Sequence, residues 1–253
     1  MKEQLIPYYN VRLKNRIDTI VIHAAAQTEA SDLIDLLEER ELSCHYVVDR
    51  EGEVFKLVDE KHRAWHAGAG VWRGESDINS NSIGIELCNG LFGEEPYTQK
   101  QMEALKELCL DLMERYDIKP INVIGHSDMA PTRKIDPGTM FPWQEFAKSG
   151  IGIWYKSKVL YDAQGIDVKQ MLENIGYGVE NYEATKWAFL RHYSPELYYY
   201  LGGKKGANGP DKMPVNLEEN KVFCAILKAV NDEFNKYNAN KTKLAIIKGD
   251  FEL

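Results

Sequence analysis

The chain has 253 residues, 44% hydrophobic and 28% charged, with a formal net charge of −8. That composition fits one large globular domain or two smaller ones. The acidic balance argues against nucleic acid or an anionic membrane surface as partner, and no apolar run approaches the length of a membrane span.

The N-terminus, MKEQLIPYYNVRLKNRID, has neither an apolar core nor a small-residue cleavage site, so no signal peptide is visible. The chain as given reads as cytosolic, as a mature form, or as exported by another route. Residues 1–16 read as polar and irregular. Residues 17–23 form a first strand, with Thr19, Val21 and His23 on one face and Ile20 and Ile22 on the other. The small residues Ala24 to Ala26 leave space beside His23. Thr28 or Ser31 is expected to cap a helix whose apolar stripe is Leu33, Ile34, Leu36 and Leu37.

His45–Asp49 and Val54–Val58 flank Gly52 as a hairpin. Arg63 to Gly70 reads as an open loop. Ser82–Cys88 is another strand, with Ile83, Ile85 and Leu87 on one face and Gly84 and Glu86 on the other. Thr98 to Tyr116 is a helix, with Thr98 and Gln101 as a capping box. Ile121 to Gly125 is a last strand, and Pro142 starts a short helix at Trp143. Cysteines 44, 88, 109 and 224 form no CxxC pair, and no disulfide is expected.

After about residue 150 the pattern turns all-helical, over Val168–Ile175, Glu183–Tyr193 and Leu217–Phe234. The switch predicts an α/β unit over 1–155, with a mixed central sheet flanked by helices, and a smaller helical domain over 156–253. The first unit holds enough elements to bury its own core. The second, with clustered Tyr193, Tyr198, Tyr199 and Tyr200, is expected to serve wall binding, subunit contact or simple helix packing. Lys241–Leu253 has no predicted partner.

Chemistry concentrates in VIGHSDMAPTRKIDPGTMFPW, residues 123–143. His126 and Asp136 stand ten positions apart, and Pro131 and Pro137 forbid one continuous helix between them. A loop leaving the strand at Gly125 and folding back brings both to one point. Zinc accepts imidazole nitrogen and carboxylate oxygen, and a catalytic site keeps one position open. His23, at another strand end, is the candidate third ligand. Alone, His23 reads as a core histidine, Asp136 as a turn former and Lys134 as a solvated cation; the HxxxxxxxKxD unit is more specific than its parts. Glu86, flanked by Ile85 and Leu87, is costly to bury unless paired, so it reads as a salt-bridge partner or a catalytic group. Tyr46 reads first as packing, Trp65 as a wall and His66 as a possible substrate contact, because glycines open its loop.

VIHAAA, SCHYVVDREGEV, RAWHAGAGVWRG and NSIGIELCN, together with the 123–143 stretch, resemble in this order the zinc N-acetylmuramoyl-L-alanine amidases of the AmpD and AmiD type. These share the fold of peptidoglycan recognition proteins. AWHAG followed by WRG is closer to the AmiD type. MLENIGYGV and ATKWAFLRHYSPE are similar, more weakly, to the helical peptidoglycan-binding-like domain of that type. The resemblance implies His23, His126 and Asp136 as ligands of a zinc cofactor. It implies Glu86 as general base and then acid, Lys134 as oxyanion stabiliser, and Tyr46 as a second candidate for water activation. It implies peptidoglycan and muropeptides as partners and the cell envelope as location. The alternative function is recognition of muropeptides without cleavage.

Overall fold

A computed structural model of the protein describes residues 1–156, 165–207 and 216–249, with side chains up to residue 239. β1 (Lys2–Glu3) and β2 (Tyr9–Val11) come first, then β3 (Thr19–Ala25) and α1 (Ala30–Glu39). β4 (Tyr46–Val48), β5 (Val54–Lys56) and β6 (His62–Ala64) precede the short α2 (Ile78–Asn81), β7 (Ser82–Cys88) and the long α3 (Gln99–Tyr116). β8 (Val123–Gly125) runs directly into α4 (His126–Met129), and α5 (Trp143–Lys148) follows. The remainder is helical: α6 (Val168–Ile175), α7 (Tyr182–Tyr193), α8 (Pro195–Tyr200) and α9 (Lys221–Gly249).

The six-stranded sheet has the order β1-β5-β4-β7-β3-β8, and β2 and β6 form a separate antiparallel pair. β3 pairs in parallel with β7 and with β8, and β4 with β7, whereas β5 runs antiparallel to β4. β3 and β7 lie in the middle and are covered on both sides, which explains their nearly continuous apolar sequences.

Alternation sends Ile20, Ile22, Ile83, Ile85 and Leu87 to one face, where α3 lies with Leu105, Cys109 and Leu112. Thr98 caps α3 by accepting from the Gln101 N–H at 3.1 Å. Gln101 does not complete the expected box. Its buried amide donates to the carbonyls of Val48 and Cys88, both at 2.9 Å, and so ties the helix to β4 and β7.

Val21 and Ile124 point to the opposite face, into a single buried cluster that also holds Trp72, Leu172, Trp187, Phe189 and Phe223. The later helices therefore share a core with the sheet instead of burying one apart. Within the first 155 residues, α1 covers one end of this face at Ala25, Val47 and Cys88, and the part around Val21 and Ile124 has the short α2, α4 and loops. A sheet face this apolar needs a full helical layer. The expected 155/156 boundary abuts residues 157–164, which lie outside the described residues.

Other differences are local. α1 begins after Glu29 with no side-chain cap, not at Thr28 or Ser31. Residues 1–16 supply β1 and β2 as edge strands, and the start of the supposed open loop at Arg63 belongs to β6. Tyr193 and Tyr198 are buried, whereas Tyr199 and Tyr200 are 40% and 84% exposed. α9 continues to Gly249, and residues 250–253 lie outside the described residues.

Candidate active site

His23 and Glu86 are each the fifth residue of their strands, and the β3–β7 register pairs them directly. Alternation puts both on the face of Val21 and Gly84. β8 turns into α4 at Gly125, so His126 is the first residue of a helix beside the end of β3. The chain then loops out and returns, and the Ser127 N–H donates to the Asp136 carbonyl at 2.8 Å. That bond closes the loop and brings Asp136 against both imidazoles. His23, His126 and Asp136 are all buried and form a group that can hold a metal ion.

Hydrogen bonding decides what each ring presents to that group. The Ile78 carbonyl can only accept, so Ser82 Oγ–H donates to it at 2.6 Å. Ser82 Oγ then accepts from His66 Nε2–H at 3.2 Å, and His66 Nδ1 accepts from His23 Nε2–H at 2.9 Å. His126 Nε2–H donates to the Ala67 carbonyl at 2.9 Å. These roles are assigned from the network, and they leave both neutral rings with Nδ1 lone pairs turned to one spot. The Nδ1 atoms lie 2.8 Å apart, and Asp136 Oδ2 lies 3.0 Å from that of His126 and 3.4 Å from that of His23. Two lone pairs and a carboxylate this close repel unless a cation joins them. A tetrahedral centre with bonds of about 2.0–2.2 Å sets neighbouring donors about 3.3 Å apart, close to the observed triangle.

The electrostatics agree. Burial, with the neighbouring His126 adding to it, lowers the His23 pKa to about 4, so the ring is a neutral donor at ordinary pH. Burial alone would raise the Asp136 carboxyl, but its two imidazole neighbours outweigh it and hold the group below the usual range, so it stands as a carboxylate. Glu86 Oε1 lies 3.9 Å from His23 Nδ1, and Glu86 Oε2 is buried without a partner among the described residues. Burial first, then the charge of Asp136, pushes Glu86 up to about 8, with Lys134 opposing. Lys134 is half-buried on the returning loop, close enough for its charge to act on Glu86 and His23.

Two candidates are not brought to this group. Tyr46 pairs in register with Ile85, not Glu86, so it lies on the α3 face, buried among Ile20 and Leu105. Its hydroxyl donates to Glu60. The notion of Tyr46 as a water activator is corrected by this register: neighbours across a parallel pair share a face, and Glu86 is one step out of phase. Trp65 turns its indole N–H to Asn10 Oδ1 at 3.2 Å, on β2. His66 does reach the site, as the acceptor that fixes the tautomer of His23.

The sequence reading missed the residues that hold α4 in place. Asp128, buried two positions after His126, accepts from Gly125 N–H at 2.8 Å, Tyr177 O–H at 2.7 Å and His192 Nδ1–H at 2.8 Å. His192 is stacked between Trp143 and Tyr193, with centroids 4.0 and 4.1 Å away. Asp128 was visible as a carboxylate two positions after His126, but its partners Tyr177 and His192 lie 49 and 64 positions on.

Residues 13–139 match the protein family described as N-acetylmuramoyl-L-alanine amidase. The chain belongs to that family. The amidase is 37% identical to N-acetylmuramoyl-L-alanine amidase AmiD of Escherichia coli (strain K12) over 213 residues, 72% of this chain and 77% of AmiD. It superposes with a TM-score of 0.70 and 33% identity on E. coli AmiD in complex with the substrate anhydro-N-acetylmuramic acid-L-Ala-D-gamma-Glu-L-Lys, covering 86% of this chain and 90% of that one. It superposes with a TM-score of 0.72 and 29% identity on AmpDh3 from Pseudomonas aeruginosa, covering 91% of this chain and 98% of that one. The mixed sheet flanked by helices is thus the fold of these amidases. Among the described residues no helix is long and apolar enough to cross a membrane.

Proposed function

We propose that the protein binds one zinc ion through His23, His126 and Asp136. With it, the protein hydrolyses the amide between the lactyl group of N-acetylmuramic acid, normal or 1,6-anhydro, and L-alanine of the stem peptide. The observation that carries this reading is the convergence of two Nδ1 lone pairs and a carboxylate beside a glutamate whose buried Oε2 has no partner among the described residues. When bound, zinc supplies Lewis acidity for the carbonyl and for the attacking water.

The chain's own residues carry the proton. Burial raises the Glu86 carboxyl above the usual range, and the charge of a bound zinc would oppose that shift, which suits the group to exchange a proton near neutral pH. Glu86 takes the proton of the attacking water at its free oxygen and returns it to the departing amine of L-alanine. Lys134 holds a positive charge where negative charge develops on the former carbonyl oxygen. His66 and Ser82 keep the His23 ring in the ligating tautomer, and Asp128 keeps the His126 helix at the end of β8. The place of action on this reading is the cell envelope, where the polymer lies.

Metal analysis of protein purified without added metal, combined with mass spectrometry of products from intact sacculi and from anhydro-muropeptides, tests the reading. Near-stoichiometric zinc and release of peptides with a free L-alanine amine are expected. Undiminished zinc in His126→Ala would sink the ligand assignment.

A further inference from the structure

Asp136 stands on a turn that is gripped from two sides. On the α4 side, Ser127 N–H donates to the Asp136 carbonyl at 2.8 Å. On the other side, the Tyr97 hydroxyl donates to the next carbonyl, that of Pro137, at 2.7 Å. Tyr97 lies on the segment joining β7 to α3, so the strand that carries Glu86 leads directly into this grip. The charges of Asp136 and Glu86 both act on the Tyr97 hydroxyl.

The segment from Asn89 to Tyr97 is shaped to meet that turn. Asn89 is fully buried after the end of β7 and gathers the segment around one amide. Its Oδ1 accepts from Gly93 N–H at 2.9 Å, and its Nδ2 donates to the Glu95 carbonyl at 2.9 Å. Gly93 takes φ +86°, and a Cβ added there would fall 1.6 Å from the Pro137 carbonyl oxygen. A Cβ added at Gly138 would fall 2.2 Å from the Gly93 carbonyl oxygen. Two backbones meet directly here, an approach that needs glycine on both. Met140 N–H donates to the Gly93 carbonyl at 3.2 Å and closes the contact.

Glu94 fastens the same turn to the helical layer. Its side chain is buried, and Oε2 meets Thr139 Oγ1 at 2.7 Å and the Tyr199 hydroxyl at 2.6 Å. Tyr199 belongs to α8. A buried carboxylate is costly without such donors. Here they join the segment after β7, the turn after Asp136 and α8 at one point.

A grip is needed there for an electrostatic reason. Asp136 and the Oε2 of Glu86 are buried, and the charge of Asp136 acts on Glu86. Two carboxylates sharing a site repel. Glu86 is fixed in a central strand, so the turn carrying Asp136 is the part that would give way.

We infer that Tyr97 and Glu94 are positioning residues for the metal site, which hold Asp136 at its distance from Glu86 by gripping the turn at Pro137 and Thr139. The inference deepens the proposed zinc site and rests on it.

The full chain is compared with Tyr97→Phe, Glu94→Gln and Tyr116→Phe. Competition with a chelator measures zinc affinity, and the visible absorption of the cobalt-substituted protein reports ligand geometry. Turnover of a soluble muropeptide gives kcat and KM. Tyr97→Phe keeps the ring that meets Phe141 edge-on at 5.7 Å and removes only the hydroxyl. We expect it to bind zinc about tenfold more weakly or worse, with a shifted cobalt spectrum and a lower kcat at unchanged KM. Glu94→Gln is expected to act in the same direction on all three. Tyr116→Phe removes a hydroxyl from another buried carboxylate, Glu60, and is expected to leave all three unchanged. Parental zinc affinity and cobalt spectrum in Tyr97→Phe, or an equal loss in Tyr116→Phe, overturns the inference while the zinc reading stands. If Tyr97→Phe does not fold, Glu94→Gln decides by the same criterion. A parent chain that takes up no zinc overturns both.

Discussion

Gly84 lies under the imidazole of His66, where an added Cβ would fall 2.3 Å from the ring's Cγ. Only a residue without a side chain lets His66 press onto the sheet and reach both Ser82 and His23. Gly84→Ala is expected to displace that ring and weaken metal binding about 10–100-fold, the scale for losing an outer partner of a ligating histidine. Competition with a chelator measures it, and an unchanged affinity means His66 does not support His23. Glu86→Gln keeps shape and removes the titrating oxygen. It should retain metal and lose about a hundredfold or more in turnover. Tyr46→Phe, on the far face, should retain turnover. If Glu86→Gln cleaves normally and Tyr46→Phe does not, the proton-transfer role is misassigned.

At the scale of elements, buried carboxylates pin the end of α3 and the start of α4. Glu60 receives Arg115 at 2.6 and 2.7 Å and the hydroxyls of Tyr46 and Tyr116, tying the end of α3 to the sheet. Burial alone would raise its pKa, but these bonds, Arg115 foremost, lower it from 4.5 to about 2. A folded pKa below the unfolded one contributes stability that is complete above about pH 4.5 and is lost as pH falls through 2. Glu60→Gln should cost about 2 kcal/mol at neutral pH and flatten the acid side of the stability curve. Urea denaturation at several pH values reads both effects, and parallel curves for variant and wild type would refute the assignment. Asp128 does the same for α4. Removing one of its donors in His192→Ala should weaken metal binding by about tenfold while His126 and Asp136 remain in place. Equal zinc affinity in variant and parent would reduce Asp128 to a helix cap.

At the scale of the whole molecule, the helices after residue 165 are part of the same buried body as the sheet. Leu172, Trp187, Phe189 and Phe223 belong to one buried cluster with Val21 and Ile124. Fully burying one such side chain contributes about 1.5–3 kcal/mol, so removing several at once exceeds the margin of a typical domain. A chain ending at residue 156 is expected to aggregate or to unfold without cooperativity, and to bind zinc poorly because Asp128 keeps only its bond from Gly125. A truncated protein that melts sharply and binds zinc like the full chain would show that the two segments are independent. Tyr200 is open to solvent, whereas the hydroxyl of the 40% exposed Tyr199 is held by Glu94 at 2.6 Å and Thr139 at 2.7 Å.

Periodicity within single elements made much of this legible in advance. The alternation of β3 and β7 put His23 and Glu86 each on a defined face, and the prolines between His126 and Asp136 implied a loop that folds back. The chemistry of two imidazoles and a carboxylate then pointed to a metal ion. Tyr46 shows where that reading ends. Its own strand says which neighbours share its face, but only the register with β7 says that this is the face of Ile85 and not of Glu86. His66, Asp128 and the shared core fail to show in the sequence for the same reason. Each depends on partners tens of positions away, brought together by sheet order and helix packing, and a local pattern carries no information about which distant surface will meet it.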